Sequence, residues 1–500
     1  MAPFTRDRVH ELRAEGFNAI PLMETLQLDR ETPVSIYARF RDGRAHFLLE
    51  SAALGDDTGR YSFIGLDRQW RICAAPDAGR LRGEEATTPD PLNLIRERLA
   101  PYRAYQPSDV PSFIGGAVGY ISYDYVRRIE RLPKDLGDNP WPDVDVSFPG
   151  AILICDHLRH TTTVSVLATY LDGDDEGEYD RAIAQLNDIV SILLAPAPTP
   201  DPATERLVAF APNERAGVNV RERAATYSDF TLAAYEAAVE KAKRHIVAGD
   251  IFQMVPSQQF RRPTNVDPLT LYRVLRALNP SPYMYLLDNG DSHLVGASPE
   301  MLVRVDQGVL TTRPIAGTRR RGATVEEDLA LEVEMMNDEK EIAEHVMLVD
   351  LGRNDAGRVA QPGTVEVERL ATVERFSHLM HIVSQVRATL REGLDAFDAF
   401  RALFPAGTLS GAPKVRAMEL IDEAEPVARG PYGGALGYFA LNGDADFAIT
   451  IRTVALRNGE ATVQAGGGVV ADSRGEFEYQ ECISKASAPL LALELVDPLP

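Results

Sequence analysis

The stretch DEKEIAEHVMLVDLGRNDAGR, residues 338–358, predicts a helix with a defined beginning and end. Asp338 and Glu341 have the spacing of a capping box, in which the first side chain accepts from the backbone of the third helical residue. Gly352 and Asn354 tolerate the left-handed conformation that ends many helices, so the helix is expected to stop near them. Three apolar side chains recur at helical spacing and predict a stripe that packs on a core: Ile342, Val346 and Val349.

A neighbouring face of this helix carries acidic side chains. Glu341 and Glu344 share it with His345 and Leu348, because residues three and four apart are neighbours on a helix surface. The helix is therefore expected to point carboxylates along the rim of its buried side.

A second predicted helix, near 476–495, carries Glu478, Glu481 and Lys485 at spacings of three and four. Taken alone, such a face is typical of a solvated row of ion pairs. Combined with the acidic face of the first helix, it becomes a candidate two-helix site for a hard cation. Magnesium suits such a site, because Mg²⁺ keeps several waters and takes few protein carboxylates.

The composition excludes several classes of protein. The chain has 500 residues, 45% of them hydrophobic and 25% charged, and no apolar run approaches the roughly 18–20 residues of a membrane span. Its first residues lack the hydrophobic core of a signal peptide, and Cys73, Cys155 and Cys482 lack CxxC spacing, which fits a reducing cytoplasm and argues against zinc. A net charge of −22 argues against nucleic acid. An anionic ligand would need local cations, backbone N–H groups or a metal ion.

A Pro-rich stretch, APAPTPDPA at 195–203, is typical of a linker or surface crossing. We therefore predict an N-terminal region over 1–200, a crossing over 201–226 and a catalytic domain over 227–500.

Hydrophobic patterning indicates an α+β fold. Alternating and β-branched residues predict strands within 34–70, with Asp42-Gly43 as a hairpin turn. Further strands are predicted at 111–128, 148–170, 251–260, 283–314 and 433–470, and helices at 231–250, 324–352, 388–403 and 413–424. GGAVGYISYD at 115–124 recurs as GGALGYFALN at 433–442, which fits either two related halves or one Gly-rich strand pattern used twice.

Other candidate groups are each open to two interpretations. Gly-rich turns at 405–414 and 464–473 could present backbone N–H groups to an anion, although a lone glycine run is usually a bulge or turn. Arg452, within the apolar sequence FAITIRTV, is expected to contact an anion or a buried acid, because an unpaired buried arginine is costly. His381 is either a satisfied core residue or a proton donor or acceptor.

A series of motifs in one order resembles the chorismate-utilising enzyme family, and within it most the anthranilate synthase large subunits (component I). The motifs are PIAGTRRRG (314–322), EIAEHVMLVDLGRND (341–355), MHIVSQV (380–386), FPAGTLSGAPKVRAMELI (404–421), PYGGALGYF (431–439), IRTV (451–454) and QAGGGVVADS (464–473). The resemblance implies the α+β fold of that family: antiparallel β-sheets packed as a sandwich, helices outside, and an active-site cleft between the two halves.

The resemblance also implies a reaction and its residues. Chorismate and ammonia would become anthranilate and pyruvate in a Mg²⁺-dependent lyase reaction, the first committed step of tryptophan biosynthesis. Glu344 and Glu481 would hold Mg²⁺, with Glu341 and Glu478 in support. The implied catalytic residues are Glu300, His381 and Thr408, the first two assisting departure of the C4 hydroxyl. The implied substrate contacts are Gly317, Thr318, Thr408, Tyr432, Arg452, Gly466, Gly467, Gly468 and Lys485.

Two partners are implied as well. No cysteine here lies in the Gly-x-Cys-x-Gly pattern of a glutaminase, so ammonia is expected from a separate glutamine amidotransferase small subunit (component II). LLES (48–51) and NPSPYM (279–284) resemble the family's site for the feedback inhibitor L-tryptophan. That site would comprise Glu50, Ser51, Arg60, Pro282, Tyr283 and Met284.

Two positions distinguish this chain from other chorismate-utilising enzymes. Isochorismate and salicylate synthases carry a water-activating lysine where this chain has Gln253, and the aminodeoxychorismate synthase subunit typically has a lysine where this chain has Ala316. The aminodeoxychorismate synthase subunit is the nearest alternative, and a non-catalytic regulator that binds tryptophan or chorismate is another.

Overall fold

The computed structural model describes residues 4–51, 59–74, 80–81, 84–85, 90–133, 139–171, 177–197, 199, 202–210, 220–375 and 379–498. The helices are α1 Arg6–Ala14, α2 Pro33–Arg39, α3 Pro91–Leu99, α4 Glu178–Leu194, α5 Pro202–Phe210, α6 Val220–Tyr227, α7 Leu232–Ala248, α8 Pro268–Leu278, α9 Val325–Met336, α10 Glu339–Gly357, α11 Ala396–Leu403, α12 Lys414–Ala424 and α13 Gly475–Val496. The strands are β1 Ala19–Gln27, β2 Ala45–Glu50, β3 Tyr61–Ala74, β4 Arg80–Leu81, β5 Glu84–Glu85, β6 Gly116–Ile121, β7 Val144–Asp156, β8 Thr161–Thr169, β9 Gln253–Met254, β10 Ser257–Pro263, β11 Tyr283–Asp288, β12 Ser292–Ser298, β13 Met301–Asp306, β14 Val309–Thr312, β15 Ile315–Arg320, β16 Glu366–Arg375, β17 Leu379–Thr389, β18 Gly411–Ala412, β19 Ala435–Ala440, β20 Ala445–Ile449, β21 Thr453–Arg457 and β22 Glu460–Gly466.

Two runs of antiparallel strands are joined at the long strands β3 and β7. One run follows the order β1-β8-β7-β3-β2-β11-β12-β21-β22-β10. The other leaves β7 through β6-β19-β20-β13-β14-β17, and both β15 and β16 pair with β17. Among the described residues, an isolated bridge between Ala19 and Ala104 is the exception to antiparallel pairing.

An apolar layer lies between the two runs, and helices cover their outer faces. Side chains from both runs meet in this layer, including Phe47, Val118, Ile152, Tyr285, Leu294 and Leu436. Separate cores form where helices pack on the outer faces: α2, α4, α7, α8 and α13 on one run and α3, α11 and part of α10 on the other. The predicted α+β sandwich with external helices is confirmed.

The repeated Gly-rich segments pair with each other. Strands β6 and β19 run antiparallel with Gly119 opposite Gly437, which are equivalent positions of the two copies. A Cβ on Gly119 would lie 2.1 Å from the carbonyl oxygen of Asp145, and one on Gly437 would lie 2.0 Å from that of Asp446. Both copies therefore use glycine for the same close approach of a neighbouring strand, which fits either interpretation of the repeat.

Strands from both sides of the predicted domain boundary share these sheets. Strand β2 pairs with β11, and β6 pairs with β19. Residues 202–210 and 220–227 form α5 and α6, and α6 packs on α13. The limits of the domains stay a prediction. Within the described residues, no helix combines the length and apolarity that crossing a membrane requires.

The prediction of strands within 34–70 was wrong at its start. Residues 33–39 form α2, which Thr32 caps by accepting from the backbone N–H of Ser35. Asp42-Gly43 therefore joins a helix to β2 and is not a hairpin turn. Strand propensity is high at Val34, Ile36 and Tyr37, but the helix cap and the burial of one helix face outweigh it, since Ile36 and Tyr37 are buried.

The helix predicted from 338–358 exists, but its details differ. Asp338 caps α10 by accepting from the backbone N–H groups of Lys340 and Glu341. The helix continues through Gly352 and Asn354 to Gly357, and Val346 on the predicted apolar stripe is 45% exposed. The buried side chains on this helix include His345, Leu348 and Val349. Val349 of the predicted stripe is therefore confirmed as buried, while His345 takes the buried place that was predicted for Val346.

Two other predicted helices were too long. The stretch 324–352 is two helices, α9 and α10, separated at Asn337-Asp338. The stretch 388–403 begins as the end of β17, and α11 starts only after Asp395, whose side chain forms a capping box with Asp398.

Candidate functional site

Carboxylates from α10 and α13 face a common space. Burial raises the pKa of Glu344, and the carboxylates of Glu341, Glu481 and Glu478 raise it further, against a lowering by Lys340. Burial likewise raises the pKa of Glu478, with Glu481 adding to the effect and Ser473 opposing it. Like charges shift one another in this way only when they lie close together. The two distant helices therefore bring their acidic faces to one site.

Two glycines, one in a loop and one on a strand, lie close to these carboxylates. A Cβ on Gly467, in the loop after β22, would lie 3.0 Å from Oε2 of Glu478. On β15, Gly317 has φ +62°, and its Cβ would lie 3.4 Å from Oε2 of Glu341. The predicted substrate glycines at these two positions thus border the predicted metal glutamates.

The carboxylates fit a divalent cation held through few protein ligands. Glu478 Oε2 is buried and has no hydrogen-bond partner among the described residues, which is costly unless another group meets it. Arg319 Nη1 lies 3.0 Å from Glu341 Oε1, and Lys485 Nζ lies 2.6 Å from Glu481 Oε1. Over the described ranges, no three acidic, histidine or cysteine side chains lie close enough together to hold a metal ion by themselves. This arrangement suits Mg²⁺, which takes its remaining ligands from water and substrate.

Arg452 lies at the bend between β20 and β21, not inside a strand as predicted, and has φ +52°. A positive φ is uncommon for a residue other than glycine. Burial lowers the pKa of its guanidinium, while Tyr432, Glu300 and Glu481 act in the opposite direction. Within the described residues Arg452 forms no salt bridge, so the expected acidic partner is not found and the guanidinium is available to an anion.

Glu300 is a buried acid at the junction of β12 and β13. Its side chain accepts a hydrogen bond from Thr408 Oγ1 at 3.0 Å. Burial raises the pKa of Glu300 to about 8, although Thr408, Arg452 and Lys485 all favour the ionised form. Glu300 is therefore protonated at neutral pH and can donate a proton.

His381 lies on β17, directly opposite Thr318 of β15. Its Nδ1 is 3.1 Å from the carbonyl oxygen of Gly317 and 3.1 Å from Thr318 Oγ1. A carbonyl oxygen only accepts, so Nδ1 carries the hydrogen and Nε2 is the acceptor nitrogen of the neutral ring. Burial lowers the pKa of His381, and Arg452 lowers it further, which keeps the ring neutral at pH 7.

The remaining predicted substrate residues border the same space. The hydroxyl of Tyr432 lies 3.0 Å from the Cβ position of Gly466, whose carbonyl oxygen accepts from Lys485 Nζ at 3.0 Å. Gln253, one of the two discriminating positions, packs on Gly468, and its Oε1 is buried without a partner in the described chain. Ala316, the other, lies beside the irregular pairing of β15 with β17.

The six residues predicted for an inhibitor site line one cavity of about 460 Å³. They come from the end of β2 and the residue after it, the turn before β3, and the start of β11 with the residue before it: Glu50, Ser51, Arg60, Pro282, Tyr283 and Met284. Glu50 lies opposite Met284 in the pairing of β2 with β11. Tyr272 donates to Glu50 Oε2, and Arg276 Nε lies 3.2 Å from the same atom. The volume is in the range of small-molecule sites.

Sequence reasoning missed several residues of this cavity. Arg304 and Asp446 form a salt bridge of 2.7 Å at its wall, and Asp446 also accepts from the hydroxyl of Tyr283 at 3.0 Å. Phe63 and Tyr438 add an aromatic surface. Tyr438 lies in the repeated segment GGALGYF, so the repeat was the available signal. No local sequence pattern predicted that Arg304 would line this cavity.

Comparison with known proteins identifies related chains. Residues 49–491 match the model of the chorismate binding enzyme family. Anthranilate synthase component 1 of Pseudomonas aeruginosa is 45% identical over 98% of this chain and 99% of its own length. Its counterpart in Mycobacterium tuberculosis is 45% identical over 100% of this chain and 97% of its own length.

Solved structures agree. The crystal structure of anthranilate synthase component I from Streptococcus pneumoniae superposes with a TM-score of 0.72 at 37% identity, covering 88% of this chain and 94% of that one. The menaquinone-specific isochorismate synthase of Escherichia coli gives a TM-score of 0.67 at 17% identity, over 97% of this chain and 98% of its own, which shows the shared fold alone.

Proposed function

This chain belongs to the family of chorismate-binding enzymes, and from that premise we propose that it is the large subunit of an anthranilate synthase. It would convert chorismate and ammonia into anthranilate and pyruvate, with Mg²⁺, as the first committed step of tryptophan biosynthesis. The observation that carries this proposal is the convergence of Glu344, Glu481, Arg452 and Glu300 on one space. Relatives named anthranilate synthase component 1 at 43–46% identity support it.

Binding of chorismate requires compensation of two negative charges by a protein of net charge −22. The Arg452 guanidinium and the ammonium of Lys485 would each face a carboxylate of the substrate, and the glycine loop at 466–468 would add backbone N–H groups. Glu344 and Glu481 would hold Mg²⁺, supported by Glu341 and Glu478. When bound, Mg²⁺ supplies positive charge for the ring carboxylate.

The proton chemistry follows from the protonation states of two side chains. Glu300 keeps its proton at neutral pH and would donate it to the C4 oxygen, so that the hydroxyl leaves as water. Thr408 fixes the orientation of the Glu300 carboxyl by its hydrogen bond. The neutral His381 presents Nε2 as an acceptor, which would hold the hydrogen of the C4 hydroxyl and orient the leaving group. Ammonia would add at C2, and loss of pyruvate would then aromatise the ring.

Ammonia would come from a separate glutamine amidotransferase small subunit. Cys155 and Cys482 are buried thiols, and burial raises the pKa of each, which is the opposite of what a nucleophilic cysteine needs. The Oε1 atom of Gln253 offers an acceptor for an N–H group where related synthases have a lysine. Position 316 is alanine, where the aminodeoxychorismate synthase subunit typically has lysine, and this favours amination at C2 over the aminodeoxychorismate synthase reaction.

Feedback inhibition by L-tryptophan would act through the cavity lined by Glu50 and Tyr283. The Glu50 carboxylate suits the amino group, and Met284 with the aromatic wall suits the indole. Bound tryptophan would favour a state with lower affinity for chorismate, and chorismate would weaken tryptophan binding by the same factor.

The test is turnover of the purified chain with chorismate, Mg²⁺ and ammonium, followed by anthranilate fluorescence. The proposal expects ammonium-dependent anthranilate, and glutamine-dependent anthranilate after addition of a small subunit. Formation of aminodeoxychorismate would show the alternative reaction. Binding of tryptophan or chorismate without any product would show a regulator and would overturn the proposal.

A further inference from the structure

Glu300 and Thr408 line a small cavity of about 40 Å³. Of the candidate substrate and metal residues named above, all within the described chain, these two alone border it. Its other walls include Leu351, Gly352 and Asp355 of α10 and Thr312 at the end of β14. Glu300 therefore contacts Thr408 and interacts with Arg452 among the predicted substrate residues, and it also lines this cavity, which we call the rear cavity.

The rear cavity suits water. A cavity needs roughly 10–15 Å³ of such volume to hold one molecule, and this one is larger. Its wall includes Arg313, whose Nε–H is buried and has no hydrogen-bond partner among the described residues. Asp355, held by Lys414 Nζ at 2.7 Å, and the hydroxyl of Thr312 add polar groups. Arg313, Leu351 and Gly352 are partly exposed, so the cavity lies just below the surface.

The proposed reaction leaves Glu300 in need of a proton in every cycle. The nitrogen lone pair of ammonia forms the C2–N bond, and the ring double bonds shift. The C4–O bond breaks with its electron pair on oxygen, and that oxygen takes the Glu300 proton and leaves as water. Glu300 is then a carboxylate, while the surplus proton is on the new amino group. Loss of pyruvate breaks the C2–H and C3–O bonds, and the proton lost from C2 is balanced by the one that the departing enolate takes up to become pyruvate. The amino group then releases its surplus proton to solvent, and Glu300 must take one up. During this time the substrate or its product would occupy the side of Glu300 that faces Arg452 and Lys485.

We propose that water in this rear cavity returns the proton to Glu300 from solvent. The inference rests on the proposed function, because it assumes that Glu300 is the acid. Gly352 makes the route testable, since a Cβ there would lie 3.4 Å from Pro314 Cγ and 3.6 Å from Thr312 Cγ2, which are ordinary contacts. Because Gly352 lines the cavity, we expect Gly352→Ala and Gly352→Val to reduce its volume in two steps.

The matched control is Gly357→Ala on the same helix, where an added Cβ meets nothing within 4 Å. Anthranilate fluorescence is followed in stopped flow, with enzyme pre-equilibrated so that Glu300 starts protonated. The proposal expects a first turnover at the wild-type rate and later turnovers slowed by about tenfold or more in Gly352→Val. Gly352→Ala is expected to show a smaller change of the same kind, and Gly357→Ala none.

A structural defect would slow the first and later turnovers together, and that result would overturn the proposal, as would Gly352 variants indistinguishable from wild type. If Gly352→Val does not fold, the ratio of the first-turnover rate to the later-turnover rate in Gly352→Ala tests the proposal instead. Absence of anthranilate in the wild-type protein would instead contradict the proposed function, so the two failures are distinct.

Discussion

Replacing Glu300 by glutamine separates the chemistry of this side chain from the cost of burying it. Glutamine has nearly the same shape and stays neutral at every pH, so it removes both the proton donor and the titration. We expect the rate of anthranilate formation to fall by about 10²-fold or more, which is the usual contribution of a positioned acid.

The effect on stability has the opposite direction and a defined pH window. The folded protein raises the pKa of Glu300 from 4.5 to about 8. Below pH 4.5 the side chain is neutral in the folded and the unfolded state, so Glu300 causes no loss in the free energy of unfolding. As the pH rises toward 8, the unfolded chain gains from ionisation and the folded chain does not, so stability falls. At about 1.4 kcal/mol per unit of pKa, the loss reaches about 5 kcal/mol near pH 8, as an upper limit.

Glu300→Gln escapes this loss, so its thermal midpoint relative to wild type should rise between pH 5 and pH 8. Thermal unfolding of both proteins at several pH values measures the difference, and Glu392→Gln, at an exposed carboxyl, is the control. A difference that stays constant with pH, or that shrinks as the pH rises, would refute the claim that burial keeps Glu300 protonated.

Three further changes test other parts of the site. Glu481→Gln should raise the Mg²⁺ concentration for half-maximal activity by about tenfold or more. The control Glu476→Gln, exposed on the same helix, should leave this concentration unchanged. If Glu481→Gln and wild type show the same Mg²⁺ dependence, Glu481 does not hold the metal. Arg452→Lys should raise KM for chorismate more than it lowers kcat, because a point charge replaces a planar fork; steady-state kinetics with an unchanged KM would count against the contact. Ser51→Phe should abolish tryptophan binding in calorimetry while turnover persists, and unaltered binding would place the inhibitor elsewhere.

The elements that carry the site were predictable because their signals are local. The cap at Asp338 and the acidic i, i+3 and i, i+4 spacings on α10 and α13 follow directly from the sequence. The exposed Val346 and buried His345 were not predictable in the same way. His345 donates to or accepts from Ser384 Oγ at 2.6 Å on β17, and this hydrogen bond satisfies one buried ring nitrogen. Its partner is 39 residues away, so helical spacing gave no sign of it.

The convergence of the site residues was available only through the resemblance. Nothing in the spacing of Glu344 and Glu481 shows that two helices 137 residues apart face each other, because the sheet that brings them together is built from long-range pairings such as β10 with β22. The same reason hid Arg304 and Asp446, which become neighbours when β13 pairs with β20. The bend at Arg452 was hidden because its flanking residues all favour strands.

The central claim is that a divalent ion between α10 and α13 lets an acidic protein bind a doubly negative ring. Titration calorimetry of chorismate into the wild-type protein, with and without Mg²⁺, tests it most directly. The account predicts that Mg²⁺ tightens chorismate binding by about tenfold or more, and that chorismate tightens Mg²⁺ binding by the same factor. A chorismate affinity that is the same in the presence and absence of Mg²⁺ would contradict it.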